Sequence, residues 1–213
     1  MRRIILAFFL CSLTYIAQAQ EMTESERTTL EQRVKEQIDD FISYLPEIAG
    51  KSGKPQEEKK LALKDINSAL ELFIGQGNTY PYIDQNGNNR THEAVKMQTT
   101  SRGIANRPKL MKRYLSGLIN LPYQKVEVDK CSAVRINKHL YKISEGRYAA
   151  TAVYLQAFRA WRDGRLIIND KDAKQVTVYV DKKVIDTPNG SKTYWEIQLG
   201  DIRITSDWGE NSL

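Results

Sequence analysis

Thr193-Tyr-Trp-Glu-Ile-Gln-Leu-Gly-Asp-Ile-Arg-Ile204 decides the fold. Thr193 (through its methyl), Trp195, Ile197 and Leu199 recur at every second position, the period of a strand with one buried face. Past Gly200-Asp201 the apolar positions become Ile202 and Ile204, so the parity flips. A bulge inserting one residue at Gly200-Asp201 keeps all six side chains on one face. A two-residue Gly-Asp turn explains the flip as well. The bulge is favoured, because a long curved strand suits a sheet that wraps around a helix.

Working back toward the N-terminus, the chain reads as sheet from Lys125. Val126 and Val128 alternate with charge, and Tyr141-Lys-Ile143 is joined by Glu145-Gly146 to a long run from Tyr148 to Trp161. That run is apolar on both parities, with Ala149, Val153, Leu155 and Trp161 on one and Tyr148, Tyr154 and Phe158 on the other. A strand of this kind is covered on both faces. Asp163-Gly164 is a hairpin turn into Leu166-Ile167-Ile168. Val176, Val178 and Val180 continue the sheet, and Asn189-Gly190 turns the chain into its last strand.

Before the sheet come helices. Thr23-x-x-Glu26 has the form of a capping box, and Leu30, Val34, Ile38, Phe41, Ile42 and Leu45 follow at helical spacing up to Pro46 and Gly50. Pro55 suits the first turn of a second helix, whose apolar positions are Leu61, Leu63, Ile66, Leu70, Phe73 and Ile74, with Gly75 and Gly77 as its stop. A third helix is expected after Asn106 as cap and Pro108 at an early position. Its stripe is Leu110, Met111, Tyr114, Leu115 and Leu118, and Pro122 ends it. Between the second and third helices, Thr79–Ile83 and Thr91–Thr100 flank a polar turn and predict a hairpin. Asp84-x-Asn86-x-Asn88 fails as a calcium loop, because Gly87 is fourth rather than sixth and position twelve is Val95. Asn89-Arg-Thr91 and Asn189-Gly-Ser191 are glycosylation sequons.

The N-terminus carries its own signal. Met1-Arg2-Arg3, an apolar stretch from Ile4 to Ile16, and Ala17-Gln18-Ala19 are the three zones of a secretory signal peptide. The stretch is shorter than the ~20 apolar residues of a membrane span. The expected division is a signal at residues 1–19 and one domain over 20–213, exported to the periplasm or beyond and without a membrane span after cleavage. The whole chain has 32 basic and 26 acidic residues. Loss of Arg2 and Arg3 leaves 30 against 26, a net of +4. The basic residues are dispersed, which argues against a nucleic-acid partner. Cys11 leaves with the signal, so Cys131 can form no internal disulfide and is expected to be a packed, inert thiol. His92, His139 and Cys131 have no metal-site spacing, and no metal or cofactor is expected.

Two helices, a short hairpin, a third helix and about four long antiparallel strands resemble the nuclear-transport-factor-2-like superfamily. The ending Tyr194 to Ile204 is similar to the closing strand of exported bacterial members. The resemblance spans about Thr23 to Trp208. It implies an α+β fold in which N-terminal helices pack on a strongly curved antiparallel sheet, a cone with a pocket. It also implies a wide range of activities, since the superfamily holds isomerases, dehydratases and cyclases beside members that only bind.

The function expected first is an exported, non-catalytic binding module that engages a periplasmic or surface protein or its own copy as a homodimer. Its motive is the double-faced apolar run around Tyr154 and Phe158. The alternative is a binder of a small apolar or aromatic ligand, lined by Tyr114, Tyr154, Phe158 and Trp195. A third reading is an isomerase- or cyclase-like enzyme using a buried carboxylate such as Asp129. Alternation points Asp129, Glu127 and Glu196 away from the apolar face, so no catalytic residue is named, and Arg159 is read as a surface arginine.

Overall fold

The computed structural model describes residues 22–83, 87–101, 103–188 and 190–206. The expected signal peptide, residues 84–86 of the polar turn, Asn189 and Trp208 lie outside the described residues.

Helix α1 spans Glu24–Ala49 and opens with the expected capping box, Thr23 and Glu26 each bonding the other's backbone N–H. Its buried stripe is Leu30, Val34, Ile38, Phe41, Ile42, Leu45 and Ile48, the spacing of one helix face. Helix α2, Gln56–Glu71, buries Ala62, Ile66, Ala69 and Leu70. Leu61 and Leu63, expected on that face, are 64% and 50% exposed. Each sits one residue from Ala62, about 100° to either side of the stripe. The short helix α3, Met111–Leu118, buries Met111, Tyr114, Leu115 and Leu118. It starts later than expected: Asn106 and Pro108 precede it in extended chain, and its first N–H, on Met111, is satisfied by the Val95 carbonyl at 2.8 Å.

Between α2 and α3 lie six short strands. These are β1 (Tyr80–Ile83), β2 (Asn89–His92), β3 (Lys96–Met97), β4 (Thr100–Ser101), β5 (Ile104–Ala105) and β6 (Lys109–Leu110). The predicted hairpin is present as β1 paired with β2, but its second arm stops at His92 and does not continue to Thr100. Five strands follow α3: β7 (Lys125–Lys130), β8 (Arg135–Ser144), β9 (Arg147–Arg162), β10 (Arg165–Thr187) and β11 (Gly190–Ile204). The main sheet runs β6-β3-β11-β10-β9-β7, with β8 sharing the β9 edge, and it is antiparallel except where β11 meets β3. The fold is α+β, three helices on a large, mostly antiparallel sheet.

The sheet curves around α1. Asp39 pairs with Lys130 of β7 at 2.6 Å, while Gln37 donates to the Ile197 carbonyl of β11 at 3.0 Å. Two residues of one helix thus reach strands that are separated in the sheet by β9 and β10. Glu31 fastens β8 to the same helix, accepting from Leu140 N–H at 2.9 Å and meeting His139 Nδ1 at 2.9 Å.

Of the two explanations for the parity flip in the last strand, the chain forms the bulge. Val178 faces Leu199 and Val176 faces Ile202, so Gly200 and Asp201 on β11 stand against Thr177 alone on β10. Gly200 is required there by close approach, since a Cβ would lie 2.9 Å from Tyr179 Cε2 and 3.3 Å from the Thr177 carbonyl. Strand β9 is buried on both parities, as expected. Ala150, Ala152, Tyr154 and Ala160 join the helix-facing core, while Ala149, Val153 and Ala157 are buried on the other side. Cys131 corrects the sequence reading. It follows the end of β7, its N–H still bonding the Leu155 carbonyl of β9 at 2.7 Å, and it is exposed because it continues the outward parity of Glu127 and Asp129.

Candidate functional site

Strand parity places charge inside the cone. Val176, Val178 and Val180 of β10 are fully buried, and the same parity continues back to Lys174, Asp172 and Asp170. On β9 the facing residues are Tyr154 opposite Lys174, Gln156 opposite Asp172 and Phe158 opposite Asp170. These inward side chains, apart from Tyr154, form the sheet wall of a cavity of about 350 Å³. The helix wall is Arg113, Tyr114, Gly117 and Leu118 of α3, with Leu121 just beyond, and Thr99, Thr100 and Lys109 complete the lining.

At the inner end Lys174 is 1% exposed. Its ammonium donates to the Gln98 carbonyl at 3.1 Å and to Asp172 Oδ2 at 3.3 Å. The Thr100 hydroxyl donates to the same carboxylate, 2.7 and 2.8 Å from its two oxygens. The ion pair therefore ties the segment around β4 to β10. Burial draws the Lys174 ammonium below the usual lysine range, and Asp172 opposes that shift.

Above the pair lies a polar chain. Tyr154, fully buried, donates its hydroxyl to Gln156 Oε1 at 3.3 Å, and the Gln156 amide in turn hydrogen-bonds Tyr114. Burial pushes both phenols well above the ordinary tyrosine range, for Tyr114 against the opposing bond from Gln156. Toward solvent, Lys109 and Arg113 are exposed and Asp170 is half-buried. Leu118, Leu121 and Phe158 supply an apolar flank.

Of the four residues expected to bind a ligand, Tyr114 and Phe158 line this cavity, and Tyr154 lies beneath it in the core, reaching it through Gln156. Trp195 is not brought to it. It packs edge-on against Tyr148 with ring centroids 5.7 Å apart and stands opposite Lys182, eight residues along β10 from Lys174, or about 26 Å of strand. The sequence reading missed Lys174, Asp172, Gln156 and Arg113. Asp129 is 42% exposed and paired with Arg159, which also meets Glu127 at 3.2 Å. Those carboxylates face outward, as alternation predicted, and Arg159 is a surface residue.

A second concavity of about 420 Å³ lies on the other face of the sheet, between the β1–β2 hairpin and Tyr179, Asp201 and Arg203. Its charges are satisfied internally: Lys96 pairs with Glu93, and Arg203 with Asp201 at 3.2 Å. His92 belongs there, stacked on Tyr80, and His139 is held by Glu31, so neither histidine reaches the first cavity. No cluster of three His, Cys, Asp or Glu able to hold a metal exists among the described residues.

Neither a protein-family model nor a curated protein matches this sequence. A solved structure of a candidate scytalone dehydratase from Novosphingobium aromaticivorans aligns over 85% of this chain and 88% of its own, at 11% identity and a TM-score of 0.33. Likeness at that level carries no argument about this chain, and the site stands on its own geometry.

Proposed function

We propose that this chain is an exported member of the nuclear-transport-factor-2-like superfamily whose cone binds a small molecule between α3, β9 and β10. The observation that carries the reading is the cavity with the buried Lys174–Asp172 pair at its inner end. Core built only for packing is apolar, because a buried ion pair gains little stability over hydrophobic residues of the same volume. A concave site with an apolar flank and a few convergent polar groups is the usual form of a ligand pocket. At about 350 Å³ the cavity falls within the ~300–1,000 Å³ usual for small-molecule pockets.

Thermal unfolding of the chain from Gln20 against a panel of small aromatic and branched compounds tests this. A ligand at a hundredfold excess over its Kd stabilises by about 2.7 kcal/mol, or roughly 5–10 °C for a domain of this size. Gly117→Leu is the control. A Cβ at Gly117 meets nothing within 4 Å, so the leucine enters the cavity without disturbing the backbone. Stabilisation by no compound, or stabilisation that survives Gly117→Leu, removes the proposal. Export is tested separately by N-terminal sequencing of protein secreted from a bacterial host, with Gln20 as the expected first residue.

The ribbon at the end of β10 and β11 favours a second reading, association through protein contacts. Beyond Lys182, β10 pairs only with β11 among the described residues, and Val184, Ile185 and Tyr194 are 62%, 50% and 44% exposed. Unpaired strand edges with apolar side chains invite pairing with another chain. Sedimentation velocity of wild type and Val184→Lys decides it, and a concentration-independent monomer rules out self-association.

A further inference from the structure

The lining of the cavity also says what kind of molecule fits, given that it binds one at all. The Gln156 oxygen accepts from Tyr154, and its amide lies beside Tyr114 in the cavity lining. Tyr114 is only 9% exposed, and its hydroxyl can turn to donate to a guest in the cavity. The Lys174 ammonium has three N–H donors and uses two, on Gln98 and Asp172. Arg113 and Lys109 make no ion pair among the described residues. From Lys174 at its inner end to Arg113 and Lys109 at its mouth, the cavity therefore presents donors in surplus.

Charge points the same way. Lys174 and Asp172 neutralise one another. Of the remaining charged groups lining the cavity, Lys109 and Arg113 stand against Asp170, a surplus of one positive charge. A neutral apolar guest would leave the third Lys174 N–H desolvated and unpaired. An ammonium would face two unpaired cations. Asp170 opposes a guest with two negative charges. The second concavity, whose cations are already paired with its own acids, has no such surplus.

Building on the small-molecule reading above, we propose that the guest is a monocarboxylic acid with an aromatic or branched apolar body. Its carboxylate accepts from Tyr114, Lys174 and Arg113, and its body lies against Phe158, Leu118 and Leu121. A guanidinium beside two neutral or charged donors suits the two oxygens of a carboxylate.

Isothermal titration of the full chain with 2-naphthoate, 2-naphthamide and 2-naphthylmethylammonium tests the assignment, since the three probes share one ring system and differ in charge. The expected result is binding of naphthoate at least about tenfold tighter than the amide, about 1.4 kcal/mol, with no heat from the ammonium. Arg113→Gln and Tyr114→Phe should each weaken naphthoate about tenfold and leave amide binding almost unchanged. Both keep the packed parts of their side chains, and a wild-type melting temperature verifies that they fold. Equal affinity for acid and amide, abolished by Gly117→Leu, overturns the carboxylate assignment and leaves the cavity reading standing. Acid binding that is indifferent to Gly117→Leu, or no binding by any probe, overturns both.

Discussion

Removing one member of the Lys174–Asp172 pair should cost far more than removing both. Lys174 is 1% exposed and Asp172 is 13% exposed, with Nζ 3.3 Å from Oδ2. At that distance two unit charges attract by about 5 kcal/mol at an effective dielectric near 20. Desolvation of the two ions cancels most of this in the intact protein. A single substitution removes the attraction and leaves one desolvated charge, which costs about 3–5 kcal/mol. Lys174→Met should fall at the lower end, because Asp172 still accepts from Thr100. Asp172→Asn leaves the buried ammonium with neutral acceptors only, the Gln98 carbonyl and the new amide oxygen, and no counter-charge, so it should fall at the upper end. The double variant should lie within about 2 kcal/mol of wild type, giving a coupling of several kcal/mol. Urea unfolding of the four proteins, followed by far-ultraviolet circular dichroism, measures the cycle. Single costs below about 1 kcal/mol that add in the double variant are the signature of a solvated surface pair. They would refute the reasoning that the inner end of the cavity is dry.

Other expectations follow from local geometry. Gly200→Ala should destabilise by about 1–3 kcal/mol in thermal or urea unfolding, because the new Cβ would press on Tyr179 and Thr177 at the bulge. Phenolate titration by ultraviolet difference absorbance should leave a late-ionising set among the tyrosines, with Tyr80 near 12 and Tyr114 and Tyr154 beyond it. Burial raises these folded-state values above the ordinary tyrosine value of about 10, so their contribution to stability is whole below pH ~10 and is lost as pH rises through the window above it. Stability that holds level across that window contradicts the burial of these phenols. Cys131, exposed beyond β7, should react with a thiol reagent in the native protein as fast as in urea; strong native protection would place it back in the core.

Much of this architecture is written in periodicity. The capping box at Thr23, the stripe of α1 and the two-sided burial of β9 follow from spacing, because burial on one face of a helix or strand imposes a period, whereas the parity flip at Gly200 fitted a turn as well as the favoured bulge. Helix boundaries were less legible. Asn106 and Pro108 look like a helix start, yet the chain there is committed to β6, which pairs with β3, and a tertiary partner outweighs a local cap.

The candidate site was half legible. The stripe of α3 gave Tyr114, and the double parity of β9 gave Tyr154 and Phe158. Trp195 lies apart from the cavity, because parity fixes the face a residue occupies and says nothing of its height along a long strand. Asp170, Asp172 and Lys174 share the parity of Val176, Val178 and Val180. Charged residues in the core-facing register of a strand are the signal that could have revealed the cavity, as was Gln156 between Tyr154 and Phe158. Thr99, Thr100 and Arg113 become neighbours of these residues only through the tertiary fold, which no local pattern encodes.

The central claim is that the inward charged stretch of β10 builds a binding cavity with α3. Backbone amide chemical-shift mapping of the isotopically labelled chain, titrated with 2-naphthoate, tests it most directly. The account predicts saturable shifts concentrated at residues 113–118, 156–158 and 170–174, absent in Gly117→Leu. Shifts centred on the β1–β2 hairpin or the β10–β11 ribbon, or no shifts at saturating probe, would contradict it.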